Sequence, residues 1–174
     1  EDFAPAQVII EQNNYLRRLE AGELEVRYLR NHADLTPETL VADSLLATIL
    51  EPHRGKVVYA DFWGSWCGPC KEQLKHMQAV KDELKGKDVV YLYFANNTPE
   101  DVRQVIVKKL GLYGDNIFHY NLPYEQQESI ERLLGVTRFP TFMLFDKKGK
   151  LVSSDAPFPQ YLDALINEIN KCLE

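Results

Sequence analysis

Cys67 and Cys70, separated only by Gly68 and Pro69, are the residues of this chain whose types and spacing could most directly do chemistry. A CxxC pair placed where a strand hands over to a helix has a specific use. The first thiol sits at the helix N-terminus, where unpaired backbone N–H groups favour thiolate over thiol. The second lies one turn further on, near enough to close a small ring with the first without unfolding anything. Cys67 would then be an exposed nucleophile and Cys70 a more sheltered resolving thiol. The competing reading is half of a zinc site, or a chance pair. Of the three cysteines, the remaining one, Cys172, stands far away near the C-terminus, so no second pair completes such a site. His32, His53, His76 and His119 show no short His-to-His metal spacing and read as polar or core residues. Cys172 follows Leu165 and Ile169 on one helical face, where a free cysteine acts as a small hydrophobe.

The elements around the pair supply the required junction. Val57-Val58-Tyr59-Ala60-Asp61-Phe62 reads as a buried strand interrupted by one carboxylate. Cys70, Leu74, Met77 and Leu84 then share a helical face, with Gly86 beyond it as a left-handed cap. Val89 to Ala95 is a second apolar strand, Thr98-Pro99-Glu100 opens a helix that Gly111 stops, and Ile117 to Tyr120 is a short strand candidate. A helix carrying Ile130, Leu133 and Leu134 ends at Gly135. Thr141 to Phe145, the turn Asp146 to Gly149, and Leu151-Val152 form a hairpin before a final helix from Tyr161 to Leu173. Parallel crossovers followed by a hairpin predict an α/β fold, a mixed central sheet flanked by helices on both faces. Upstream, Thr36 and Pro37 start a helix through Leu45, Leu46, Ile49 and Leu50, and the residues from Val8 to Leu29 have irregular helical spacing. Residues 1–54 are expected to be an N-terminal helical extension and residues 55–174 the sheet domain.

Composition narrows the function classes. With 45% hydrophobic residues the chain can build a core, and a net charge of −6 without a basic cluster argues against nucleic acid as a partner. Apolar runs are only a few residues long, well short of the roughly 20 that cross a bilayer.

Asp61-Phe62-Trp63-Gly64-Ser65-Trp66-Cys67-Gly68-Pro69-Cys70-Lys71 resembles the active-site segment of thioredoxins. Arg138-Phe139-Pro140-Thr141 stands downstream, just before a strand, where that family places its cis-proline. The resemblance runs from about Lys56 to Leu173. The segment Gly55 to Val58, the hairpin Asp146 to Lys150 and the ending Asp155-Ala156-Pro157 look closest to the extracytoplasmic branch, the periplasmic or membrane-tethered thiol–disulfide reductases of Bacteroidetes-type bacteria.

The resemblance implies a thioredoxin fold and a function in which Cys67 attacks a partner's disulfide and Cys70 resolves the mixed disulfide. Asp61 matches the buried carboxylate that exchanges a proton with the resolving thiol; the alternative is a strand-end aspartate facing water. Pro140 matches the cis-proline, whose loop leaves backbone groups free to pair with substrate. Trp63, Trp66, Pro69 and Phe139, with Gly68 and Thr141, would receive the partner chain; the alternative is that some of the aromatic rings pack inside, Trp63 more readily than Trp66. No metal or organic cofactor is implied. The implied partners are protein disulfides or dithiols and an electron donor, with a possible membrane tether outside this chain and an extracytoplasmic, periplasmic setting. The Gly-Pro pair between the cysteines matches reducing thioredoxins and favours a reductase over an oxidase or isomerase. A binding module with incidental cysteines would not need both thiols, Asp61 and Pro140, and a peroxidase of this fold would carry a Thr-x-x-Cys pattern instead.

Two departures from the family are expected to matter. Lys75 occupies the place of a kinking proline, which predicts a straighter helix after Cys70. Phe139 is bulkier than the residue often found before the proline and would alter access to the thiols.

Overall fold

β1 (Val57–Trp63) is buried along its whole length and sits at the centre of a five-stranded sheet of order β3-β2-β1-β4-β5. Its neighbours are β2 (Val89–Ala95) and β4 (Thr141–Phe145), with β3 (Ile117–Tyr120) and β5 (Leu151–Ser153) at the edges. β1 pairs parallel with β2 and antiparallel with β4, so Asp61 lies opposite Tyr93 on one side and Phe142 on the other. The mixed sheet with helices on both faces is the architecture that the order of elements predicts. The computed structural model describes residues 17–18 and 37–174. The Thr36 cap and the helical reading of the rest of residues 1–36 lie outside the described residues.

Alternation along the strands divides the core in two. Val57, Tyr59 and Trp63 share a layer with Tyr91, Tyr93, Phe142 and Leu144. This layer is covered by α2 (Gly68–Leu74), α3 (Met77–Glu83), α4 (Glu100–Leu110) and α6 (Leu162–Leu173). Val58, Ala60 and Phe62 face the opposite layer with Leu92, Phe94 and Phe145, under α1 (Pro37–Leu50) and α5 (Tyr124–Leu134). Leu45, Leu46, Ile49 and Leu50 of α1 are fully withdrawn from solvent there. Burying such side chains contributes about 1.5–3 kcal/mol each, so α1 is part of the core of this face. Phe62 stacks on Phe94 and Phe94 on Tyr120, which ties three adjacent strands together on that side.

The straight helix expected after Cys70 is not formed. α2 and α3 are separate, with a turn at Lys75–His76 in which Lys75 N–H donates to Glu72 O at 3.2 Å and His76 N–H to Gln73 O at 3.0 Å. These i to i−3 bonds tighten the backbone without a proline. Leu74 and Met77 both stay buried across the break while Lys75 and His76 face water. The tightened turn thus keeps both short helices on the same core. The hairpin turn is as expected: Asp146 Oδ1 accepts from the N–H groups of Lys148 and Lys150, both at 2.9 Å.

A short 3-10 turn, Glu51–His53, follows α1, and its His53 ring packs on Phe118 with centroids 4.6 Å apart. Burial, then the nearby positive charge of Lys56, lowers the His53 pKa from 6.5 to about 4. Between those values the unfolded chain carries the extra proton, so stability increases with pH across that interval. Replacement by His53→Leu is expected to flatten this part of the curve, measured as denaturation midpoint against pH; an unchanged slope would contradict it.

Candidate functional site

β1 runs directly into the loop that delivers the cysteines. Cys67 caps α2 and forms a disulfide with Cys70, their Cα atoms 5.3 Å apart. The Cys70 backbone N–H points at Cys67 Sγ at 3.2 Å, and Pro69 occupies the first turn, where its missing N–H leaves no intrahelical bond unmade. Cys67 is 4% exposed and Cys70 1%. The ranking of the two follows the sequence reading, but Cys67 is not the exposed thiol expected there. Phe139 packs against the core cluster that contains both sulfurs, while Gly68 and Pro69 remain at the surface.

Asp61 sits beneath this junction. The two-residue period of β1 places it on the same sheet face as Tyr59 and Trp63, the face that α2 covers. It is 2% exposed, and among the described residues neither carboxylate oxygen has a hydrogen-bond partner. The reading of a strand-end aspartate facing water is excluded. Burial raises the Asp61 pKa well above its ordinary value, because the charged form loses its hydration with no cation in exchange. Tyr93, across the strand register, and Tyr59 also have raised pKa values, through burial first and the Asp61 charge second. The Tyr59 hydroxyl donates to Pro157 O at 2.8 Å.

The Phe139–Pro140 peptide is cis. Phe139 meets Trp66 edge to face, centroids 5.3 Å apart and planes at 73°. The Trp66 indole is 54% exposed, and its Nε1–H donates to Asn96 O at 3.0 Å. Trp63 does not belong to this rim. Two residues beyond Asp61 on the buried face, it is fully enclosed, so of the two readings of Trp63 the inward-packed one holds and the partner-facing one does not. Thr141 is also turned away: it begins β4 and its hydroxyl donates to Arg138 O at 2.6 Å. Its buried side chain is committed within the protein. The structure thus gathers Cys67, Gly68, Pro69, Trp66 and Phe139 at one surface, with Cys70 and Asp61 behind it and Pro140 alongside.

Sequence reasoning missed Asn96 and Glu131, which support the rim from the other layer of the fold. Asn96 opens the polar stretch Asn96-Asn97-Thr98 after β2 and Glu131 precedes Arg132 in α5, so the sequence carries no local signal that singles out either. His53 is buried and His119 partly buried, with His119 Nε2 2.6 Å from Leu112 O and its ring stacked on Tyr93, whereas His76 faces water and His32 lies outside the described residues. Cys172, on α6, is half-buried against the core that this helix covers, with a pKa raised by burial, then by Asp146 and Glu168. Among the described residues no cluster of three or more His, Cys, Asp or Glu side chains is arranged to hold a metal, and no helix is long and apolar enough to cross a membrane.

Residues 55–151 match a protein family described as thioredoxin-like. Curated relatives that match the chain include proteins named thiol-disulfide oxidoreductase ResA. The protein from Bacillus thuringiensis (strain Al Hakam) is 28% identical over 103 residues, 59% of this chain and 56% of that protein. The one from Halalkalibacterium halodurans is 28% identical over 132 residues, 76% of this chain and 66% of that protein. The chain therefore spans little more than half the length of the first of them. The thioredoxin domain of a thiol-disulfide oxidoreductase from Bacteroides vulgatus superposes with a TM-score of 0.61 at 21% identity, covering 72% of this chain and 84% of that one. At that identity the likeness is one of fold.

A buried acid of raised pKa has a signed effect on stability. Above the ordinary aspartate value of 3.8 the unfolded chain releases its proton while the folded chain holds it, so stability is lost as pH rises towards the folded pKa. Asp61→Asn is expected to leave the oxidised protein's denaturation midpoint near that of the wild type at acid pH and to raise it progressively towards pH 8. A variant less stable than wild type at pH 8 would contradict the assignment of a neutral, unpaired carboxyl.

Proposed function

The chain belongs to the thioredoxin-like family, and from that premise we propose that it is a thiol–disulfide oxidoreductase of protein disulfides, with Cys67 as nucleophile and Cys70 as resolving thiol. The observation that carries this reading is the Cys67–Cys70 pair at the mouth of α2, directly beyond a strand holding a buried, unpaired Asp61. A structural disulfide has no use for a carboxyl kept out of water on the same sheet face. A proton acceptor for a buried thiol does.

In the proposed cycle the reduced protein presents Cys67 as thiolate, favoured by the Cys70 N–H that points at its sulfur. The thiolate attacks one sulfur of the partner's disulfide, forming a mixed disulfide and releasing the partner's other sulfur as a thiolate. Cys70 attacks Cys67 Sγ as its proton passes to the carboxylate form of Asp61, which burial makes the minor form and therefore a stronger base than an ordinary aspartate. That step breaks the mixed disulfide, frees the second partner thiol and leaves the Cys67–Cys70 disulfide. Two electrons pass to the partner, and a separate dithiol donor returns them. Trp66, Pro69 and Phe139 supply the apolar surface that the partner chain meets, and the backbone beside Pro140 offers it main-chain hydrogen bonds. Thr141 contributes only through its backbone. The reductase direction follows from Gly68 and Pro69 between the cysteines, as in reducing thioredoxins. The extracytoplasmic, periplasmic setting follows the branch that Gly55 to Val58 and Asp155 to Pro157 resemble.

Removal of the resolving thiol tests the assignment of roles. Cys70→Ser is expected to accumulate a covalent adduct with insulin on non-reducing gels, one that dithiothreitol dissolves, while Cys67→Ser forms none. Equal adducts from both variants, or none from either, would contradict the proposed roles.

A further inference from the structure

Glu131 is a carboxylate that the thiol chemistry does not use, 8% exposed, on the α5 layer opposite the cysteine helix. Among the described residues it has no ion pair within reach. Instead its oxygens accept from Asn96 Nδ2 at 2.9 and 3.0 Å, and Oε1 also accepts from Gln127 Nε2 at 2.8 Å. A buried carboxylate satisfied only by amides needs those donors held in place, because losing one leaves charge without compensation.

What the carboxylate holds is the turn after β2. Asn96 N–H donates to Trp63 O at 2.7 Å. Its carbonyl accepts from the Trp66 indole at 3.0 Å and from Thr98 Oγ1 at 2.9 Å, and Thr98 Oγ1 in turn accepts from Ser65 N–H at 2.9 Å. The next residue, Asn97, has φ of 40°, a left-handed backbone that asparagine tolerates and most residues resist. Gly64 completes the seat: a Cβ there would lie 2.6 Å from Trp66 Cε2 and 3.0 Å from Asn96 O. The indole therefore lies against bare backbone with its one donor fixed, and its edge-to-face partner is Phe139.

We infer that Glu131 and Asn96 are positioning residues that hold the Trp66 indole in the orientation that receives the partner chain. This rests on the thiol–disulfide reading above. Both act through the Asn96 backbone carbonyl, which no side-chain substitution removes, so a change at either residue reaches Trp66 only by displacing the turn. The pair sets how well a protein partner is held, and leaves the two sulfurs and Asp61 untouched.

A donor–acceptor exchange tests this. Asn96→Asp places two carboxylates within hydrogen-bond distance and should push the turn away from α5. Glu131→Gln alone opposes two amides and should have a smaller effect in the same direction. The double variant carries an amide against a carboxylate again, with the roles reversed, and should recover most of the wild-type behaviour. The first readout is hydrogen exchange of the two tryptophan indoles by NMR. In Asn96→Asp the Trp66 indole N–H is expected to exchange about tenfold faster, as a lost hydrogen bond allows. The enclosed Trp63 indole serves as the control for general unfolding. The second readout is insulin reduction: KM should rise about tenfold with kcat within about twofold, the pattern of lost binding without lost chemistry. Unchanged Trp66 exchange in Asn96→Asp, or a double variant no better than Asn96→Asp, overturns the inference. If the wild-type protein leaves insulin intact, the proposed function fails, while indole exchange still decides the positioning on its own.

Discussion

A carboxyl group held out of water on the central strand, with no cation and no protein hydrogen bond among the described residues, constrains everything built around it. Asp61 is tolerable there only because its neutral form is favoured, and that form persists only while the sheet on both sides keeps water away. Tyr93 from β2 and Phe142 from β4 flank it in register. α2 closes the face above. A one-residue slip of β1 would move Asp61 to the layer under α1 and α5 and remove it from beneath the cysteines. Strand register, helix placement and the raised pKa are thus one constraint seen at three scales.

The two faces of the sheet divide the work. The Asp61 face carries the sulfurs, their helix and a set of buried tyrosines whose hydroxyls are poor anions beside that carboxyl. The opposite face carries aliphatic side chains of α1 and α5 and the stacked Phe62, Phe94 and Tyr120 rings, which give β1 a rigid backing. The rim stands where both layers meet, at the ends of β1 and β2. Trp66 is therefore reached from both sides, by Phe139 beside the sulfurs and by the Asn96 turn that rests on Glu131.

Much of this was legible in the sequence because local signals agreed with the fold. The apolar runs of β1, β2 and β4 announce a buried sheet, Asp146 sets the hairpin turn, and Gly111 and Gly135 stop α4 and α5 in left-handed backbone. The pair at 67 and 70, the carboxylate at 61 and the proline at 140 were readable as a set because their order along the chain is specific. What could not be read depends on the third dimension. The break at Lys75–His76 has no proline or glycine to mark it and arises from packing two short helices on one core. The enclosure of Trp63 and the low exposure of Cys67 depend on which neighbours cover them, which spacing alone does not encode. Glu131 resembles any polar residue of an amphipathic helix until the fold brings Asn96 to it.

The proposed function requires Cys67 and Cys70 to form a reversible two-electron couple poised for reduction of protein disulfides. Equilibration against dithiothreitol and glutathione redox buffers, with the thiol–disulfide ratio read by mass after alkylation, tests it most directly. One reversible two-electron transition near the thioredoxin potential of about −270 mV is expected. A potential near the about −120 mV of a strong dithiol oxidant would contradict the reductase direction, and the absence of any reversible transition would contradict the function itself.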